Sequence, residues 1–343
     1  MPKTSENLVE VTKPQIVCYV GGKSGGHIIP CLTEAKKLKA NNQLSTVLFV
    51  STKAPLDQKL IVNEPTVDYH LAADLEEFPY KNIWDYPKFI ISFVKTLWQC
   101  FNFLRTHKPE KIISMGGHIS IPVALTGKLL GIPVELTELN VEPGQTTKVL
   151  APLANKVFVV FEESKKYFPS KEPILINYPL KSSLKEKMIN QNLAIQKIGL
   201  KPNKKTIFVM GGSQGSQTLN TAIFELFKNN PELKTQIQVI HQTGESDLDF
   251  ANIFYAKNNI DALAFKFSSE IELFYSAADL IISRAGAGSM FEIKSLGKKC
   301  ITVPLEIPGN NHQLYNALAM AKELPDQFVV VRQSELSKLK DLI

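Results

Sequence analysis

Four glycine-rich stretches carry most of the chemistry legible in this 343-residue sequence. They are Gly21-Gly22-Lys23-Ser24-Gly25-Gly26-His27, Gly116-Gly117-His118-Ile119-Ser120, Gly211-Gly212-Ser213-Gln214-Gly215-Ser216 and Arg284-Ala285-Gly286-Ala287-Gly288-Ser289. Each follows a short apolar, β-branched run and opens a helix-period pattern. A glycine turn lets backbone approach a ligand closely, and the amides that begin the next helix attract anions. Four such turns at strand ends describe a site for a diphosphate-bearing ligand. Taken singly, each is equally well a tight packing turn. Two tempting signatures fail. Gly22-Lys23-Ser24 looks like the end of a phosphate loop, but the earlier glycine falls on Val17. No turn reads G-x-G-x-x-G, so the dinucleotide fingerprint is absent. Asp247-Leu248-Asp249 has the form of a metal–nucleotide triplet, and its polar setting predicts a solvated loop.

Strands that could present these turns are predicted at about 15–20, 46–50, 111–115, 132–137 and 156–161, then at 206–210, 237–241, 262–267, 279–283, 299–304 and 328–331. Helical periodicity fills 29–40, 89–105, 121–130, 215–229, 271–277, 288–296 and 312–323. Alternating strand and helix with nearly continuous apolar strands predicts parallel sheets covered on both faces. Residues 162–205 are rich in Lys, Ser, Asn and Pro, which places a domain boundary near 178–182. The expected organisation is a polar extension (1–14) and two doubly wound Rossmann-like α/β domains (15–178 and 179–343). Ligands in such sheets sit at the carboxyl ends of the strands, so the cleft between the domains is the expected site.

Composition sets outer bounds. Hydrophobic residues make up 44% and charged residues 21%, which excludes a disordered or fibrous chain. The net charge of +6 suits anionic partners, but it is modest and no nucleic-acid-binding motif accompanies it. Cys18, Cys31, Cys100 and Cys300 lie far apart with no metal spacing, which predicts reduced, partly buried thiols in a cytoplasmic protein. The polar N-terminus lacks the apolar core of a signal peptide. Residues 89–104 are the most apolar stretch, yet too short and, with Lys95, too charged to span a bilayer. Ile90, Val94, Leu97, Phe101 and Leu104 share one helical stripe, while Lys88, Ser92, Lys95, Gln99 and Asn102 share another. Val94 and Leu97 are expected to face a sheet. Trp84, Lys88 and Phe89 are expected on an anionic membrane surface.

The ordered set of motifs resembles the MurG family of UDP-N-acetylglucosamine transferases, which complete lipid II for peptidoglycan. The carrying segments are GGKSGGHIIP (21–30), SMGGHISIP (114–122), TELN (137–140), GGSQGSQTLN (211–220), HQTGE (241–245), SRAGAGSMFE (283–292) and NNHQLYNA (310–317). Together they run from about residue 15 to 325. The resemblance implies a GT-B fold, with an acceptor- and membrane-binding N-terminal domain and a donor-binding C-terminal domain. The family has further helices beyond the segment ending at Ile343, so it also implies that C-terminal helices are missing here.

Residue roles follow from the matches. The resemblance puts Ser24, Gly25 and Gly26 against the sugar donor and His27 near the acceptor hydroxyl. Asn140 matches a donor-binding asparagine and Ser213 a serine on the donor phosphate. Ser268 would lie beside the uracil. Arg284, Ala287, Gly288, Ser289, Met290, Phe291 and Glu292 form the nucleotide-binding segment, with Glu292 on the ribose hydroxyls. Gln313 would read the N-acetylglucosamine hydroxyls. A carboxylate can accept two hydrogen bonds from a ribose diol, here from a helix start, and a glutamine both donates and accepts. The chain departs from the family at Thr137, usually histidine, and at Lys23, usually glycine. Tyr178-Pro179-Leu180-Lys181 stands for Asn-Pro-Val-Arg, leaving Lys181 a point charge instead of a fork.

The implied reaction is inverting transfer of N-acetylglucosamine from UDP-N-acetylglucosamine to the 4-hydroxyl of lipid I, undecaprenyl-pyrophosphoryl-N-acetylmuramyl-pentapeptide. His27 is the first candidate base, because imidazole titrates near neutral pH, and His118 is the alternative. Helix N-termini with Arg284 would meet the leaving diphosphate, so no metal or other cofactor is expected. The resemblance implies a peripheral protein at the cytoplasmic face of the plasma membrane, with cell-wall synthesis proteins as partners. Another GT-B transferase, a UDP-N-acetylglucosamine 2-epimerase and a non-catalytic membrane scaffold remain open. Acceptor assays, UDP release without acceptor, and donor calorimetry separate them.

Overall fold

A computed structural model describes residues 13–79, 82–212, 215–307 and 311–343. The chain divides into two compact units. One runs to Leu139 and includes Pro143–Pro179; the other comprises Asn140–Glu142 and Leu180–Ile343. The first holds a seven-stranded parallel sheet: β1 (Ile16–Val20), β2 (Thr46–Thr52), β3 (Tyr69–Ala73), β4 (Lys111–Ser114), β5 (Val134–Glu138), β6 (Lys156–Val159) and β7 (Ile174–Leu175), in the order β3-β2-β1-β4-β5-β6-β7. The second holds six: β8 (Lys205–Met210), β9 (Ile237–Gln242), β10 (Ala262–Phe265), β11 (Leu280–Ser283), β12 (Cys300–Thr302) and β13 (Phe328–Val330), in the order β10-β9-β8-β11-β12-β13. All the strand pairs are parallel.

Helices on both faces bury the central strands, which is why they read as unbroken apolar runs. Cys18 in β1 pairs with Leu48 in β2 and Ile112 in β4, and all three are fully buried. Ile207, Val209, Val239 and Ile282 form the corresponding core of the second unit. The strand order reverses between β1 and β4 in one sheet and between β8 and β11 in the other. The four glycine turns follow these same four strands, so both switch points carry a pair of turns.

All four cysteines are buried. Burial pushes the Cys300 thiol up to about 11, Cys31 and Cys100 up to about 12, and Cys18 higher still.

Several elements differ from the sequence expectations. The edge strands β3 and β7 and the helices Pro55–Ile61, Gln191–Lys197 and Leu248–Lys257 were not anticipated. Asp247 lies in the half-exposed turn between β9 and the helix Leu248–Lys257, where it accepts from Asn220 Nδ2 at 2.7 Å, while Leu248 and Asp249 begin the helix itself. The helix Tyr86–His107 buries a face rotated away from its apolar stripe, the two sharing Leu104. Its buried positions are Ser92, Thr96, Cys100 and Leu104, each four residues apart and so on one face. Val94, expected against the sheet, is exposed with Ile90, Ile91 and Trp98. Phe89, expected on the surface, packs on Phe78 and Phe93 and against the core. Small side chains on the inner face allow close approach, while Ile90, Ile91, Val94 and Trp98 are left outside. No helix among the described residues is long and apolar enough to cross a membrane.

Candidate functional site

In the first unit, Ser24 caps the helix Gly25–Asn41, its Oγ accepting the Gly26 N–H at 3.1 Å. Lys23 before it has φ +59, a left-handed conformation that costs a side-chain-bearing residue ~1–2 kcal/mol. Its N–H donates to both Asp57 oxygens, at 2.8 and 3.1 Å, and hydrogen bonds to a charged group are worth ~1.5–3 kcal/mol. Two amides that the first turn could lend to an anion are thus used inside the protein. The Lys23 ammonium pairs with Glu77 at 2.6 Å.

His27 follows on the same helix. Its Nδ1 lies 3.4 Å from Gly22 O, and its ring fills the space beside Gly116 and Gly117, both at positive φ. Glycine at 116 is therefore needed twice, for its backbone angle and for room. Burial holds the His27 pKa below 6.5, opposed by the Gly22 carbonyl and by the charges of Glu138 and Asp57. A neutral imidazole with Nδ1 on a carbonyl can take a proton at Nε2. His118, on the second turn, also has its pKa lowered, first by burial and then by Lys23. Its Nε2 is buried with no hydrogen-bond partner among the described residues. The second turn is stiffened by Ser120 Oγ, which donates to Gly116 O at 2.9 Å and accepts from Ser114 Oγ at 2.7 Å.

In the second unit, Glu292 lies in the second turn of the helix Ala287–Leu296, not at its start as the sequence suggested. Its carboxylate accepts from the fully buried Tyr275 hydroxyl at 2.9 Å. Burial raises its pKa, against the Tyr275 hydrogen bond and the Lys181 charge, which lower it. Lys181 and Glu292, distant in sequence, are thus brought within electrostatic reach. Gly288 and Ser289 are half-buried, while Ala287, Met290 and Phe291 turn their side chains inward, leaving only backbone to meet a ligand at those three positions.

Arg284, expected at the leaving diphosphate, is held by protein partners. Its Nε donates to Ser216 Oγ at 2.9 Å, and Nη1 donates to Val303 O, Pro304 O and Gln333 Oε1 at 3.2, 3.2 and 2.8 Å. Ser216 caps the helix Gln217–Asn229, so Arg284 fixes the end of the third turn. Ser213 lies outside the described residues. Ser268 Oγ accepts the Glu270 N–H at 3.0 Å just past β10. Gln313 Oε1 accepts the Leu305 N–H at 2.9 Å from the start of the helix His312–Glu323.

Four residues of these sites were missed by sequence reasoning. Asn316 is fully buried; its Nδ2 donates to Asn140 Oδ1 at 3.1 Å and its Oδ1 accepts the Val141 N–H at 2.9 Å. Asn220 is also fully buried and donates to Thr243 O at 2.9 Å, beneath the third turn. Its Oδ1 meets His241 Nε2 at 3.0 Å, and His241 Nδ1 meets the Tyr255 hydroxyl at 2.7 Å. Both asparagines stand inside recognisable motifs, a usable signal. Asp57 and Tyr275 gave none. Among the described residues no group of three or more His, Cys, Asp or Glu side chains could hold a metal ion.

Comparison with known proteins matches residues 16–159 to the glycosyltransferase family 28 N-terminal domain and 206–343 to its C-terminal domain. A UDP-N-acetylglucosamine--N-acetylmuramyl-(pentapeptide) pyrophosphoryl-undecaprenol N-acetylglucosamine transferase of Thermodesulfovibrio yellowstonii is 31% identical over 88% of this chain and 81% of that protein. The Caldicellulosiruptor saccharolyticus enzyme of the same name is 32% identical over 95% and 88%. The crystal structure of Acinetobacter baumannii MurG superposes with a TM-score of 0.71 at 25% identity, covering 96% of this chain and 90% of that one. A Neisseria meningitidis UDP-GlcNAc 2-epimerase, at TM-score 0.60 and 16% identity over 91% and 92%, shares the fold alone.

Proposed function

The chain belongs to the MurG family of glycosyltransferase family 28 and is an N-acetylglucosaminyltransferase, and from that premise we propose that it moves N-acetylglucosamine from UDP-N-acetylglucosamine to the 4-hydroxyl of lipid I. The first unit takes the acceptor and the second the nucleotide sugar. His27 removes the hydroxyl proton through Nε2 as the oxygen attacks the anomeric carbon, and UDP departs from the opposite face. The supporting observation is His27 itself: burial keeps it uncharged near neutral pH, and Nδ1 is committed to Gly22 O.

Glu292 accepts from the ribose diol, with Lys181 close enough to favour its charged form. Asn140, steadied by Asn316, and Gln313 meet the sugar. The leaving diphosphate is met by Ser289 and by the amides of the third and fourth turns. Arg284 acts on that site by holding Ser216. No divalent ion takes part. Activity lost to chelator and restored by manganese would contradict that.

The face presenting Ile83, Trp84, Ile90, Ile91, Val94 and Trp98 rests on the anionic cytoplasmic surface of the plasma membrane, where a lipid-linked acceptor resides. Lys88 is exposed beside it, paired with Glu76 at 2.9 Å. Incubation with UDP-N-acetylglucosamine and a short-chain lipid I analogue tests the reading. The expected result is the disaccharide product with UDP release that requires acceptor. Release without acceptor would point to an epimerase.

A further inference from the structure

We propose that Asp57 is a positioning residue for His27, acting through the peptide group that joins Gly22 to Lys23. The inference rests on the reading of His27 as the base and deepens it. The Asp57 side chain is fully buried where the end of β2 meets the first glycine turn. It grips both. From the turn it accepts the Lys23 N–H on Oδ1 and Oδ2, at 2.8 and 3.1 Å. From the strand end its Oδ2 accepts the Thr52 N–H at 3.1 Å and the Thr52 hydroxyl at 2.6 Å. A Cβ on Gly22 would stand 3.0 Å from Oδ2, so the carboxylate lies against the peptide it holds.

The carbonyl of that same peptide faces the imidazole, with Gly22 O 3.4 Å from His27 Nδ1. A carbonyl only accepts, so Nδ1 carries the proton and donates it. The N–H and C=O of a trans peptide project oppositely from one rigid plane. By fixing the N–H, Asp57 sets the tilt of the plane, and the plane sets the rotation and tautomer of the ring. Nε2 is left unprotonated beside Gly116, ready to accept. The logic is that of the carboxylate that orients a catalytic imidazole in hydrolase triads, with one peptide group interposed. Lys23, left-handed at φ +59, is the residue whose N–H the carboxylate takes.

Two measurements on the full-length protein decide the matter. The first is the ¹⁵N spectrum of the wild-type imidazoles near pH 8, assigned with His27→Gln. The expected signature is Nδ1 protonated and Nε2 bare at His27; the opposite tautomer overturns the proposal. The second is Asp57→Asn, assayed with UDP-N-acetylglucosamine and a short-chain lipid I analogue. A loss of kcat of about tenfold or more is expected, part of the ~10²–10⁴ that a general base supplies. UDP binding by calorimetry should stay within about twofold, because the groups assigned to the nucleotide lie in the other unit. A wild-type kcat in Asp57→Asn overturns the proposal, as does a matching loss of UDP binding. Should Asp57→Asn fail to fold, the wild-type tautomer decides alone. Absence of transfer by wild type with the expected tautomer present refutes the functional reading and leaves the Asp57–His27 linkage standing.

Discussion

The His27 imidazole occupies the space that a side chain on Gly116 would need: a Cβ there would stand 3.0 Å from Nε2 and 3.1 Å from Cδ2. Gly116 also has φ +109, outside the comfortable range of other residues. Gly116→Ala should therefore push the ring off its hydrogen bond. Steady-state kinetics should show kcat lower by about 10²-fold, at the low end for loss of a general base, with donor affinity unchanged. An unimpaired Gly116→Ala enzyme would remove His27 from the reaction.

The pH profile carries a second expectation. Burial holds His27 below 6.5, so the base stays neutral, and competent, in mildly acidic buffer. The acid limb of kcat should fall below pH 6.5. Glu138→Gln removes a charge that raises the His27 pKa, so it should move the limb further down. A limb above 6.5 in the wild type would assign it to another group.

Tyr275 and Glu292 make a third test. If Glu292 accepts from the ribose, Glu292→Ala should weaken UDP binding about tenfold or more, as expected for hydrogen bonds to a charged group worth ~1.5–3 kcal/mol. Tyr275→Phe deprives the carboxylate of its protein partner. It should lower the melting temperature while leaving UDP binding within severalfold. Calorimetry and thermal unfolding read the two effects apart.

His241 links the second unit to acid stability. Its pKa falls from the ordinary 6.5 to about 3 because burial disfavours the charged ring. Below pH 6.5 the unfolded chain takes up a proton that the folded chain refuses. The contribution is present above 6.5 and is lost as pH falls toward about 3, at up to ~1.4 kcal/mol per pH unit. His241→Gln should be less stable at pH 7, yet lose less on going from pH 7 to 5. Urea unfolding at the two pH values checks this.

The outward face formed by Trp84 and the helix Tyr86–His107 gives a fifth. Trp84 and Trp98 are 83% and 68% exposed. Trp84→Glu with Trp98→Glu should abolish sedimentation with anionic vesicles while sparing turnover of a soluble acceptor. Phe89→Ser should instead lower the melting temperature, since Phe89 packs against the core.

Much of this was legible in the sequence, for reasons that can be stated. The central strands are covered on both faces, so they spell themselves as apolar runs, and the glycine turns announce the switch points. The edge strands β3 and β7 lack two-sided burial and gave no such signal. In the helix Tyr86–His107 the expectations for Val94 and Phe89 are exchanged, because periodicity finds an apolar face but cannot say what covers it. Its inner stripe holds Ser92 and Thr96, where small size matters more than hydrophobicity. Arg284 illustrates another limit: residue type suggests a phosphate ligand but gives no sign of the bonds that the guanidinium makes to Ser216, Val303, Pro304 and Gln333. Asp57 acts through a backbone peptide, a partnership that no side-chain pattern encodes.

The four inaccessible thiols make the folded protein a blank canvas for sulfhydryl labelling. With their ionisation suppressed, maleimides and similar probes should leave the native chain untouched. A single cysteine engineered at an exterior site would then take up dye alone. Cys18 and Cys31 in the first unit and Cys300 in the second would become reporters of transient opening, each timing the breathing of its own half.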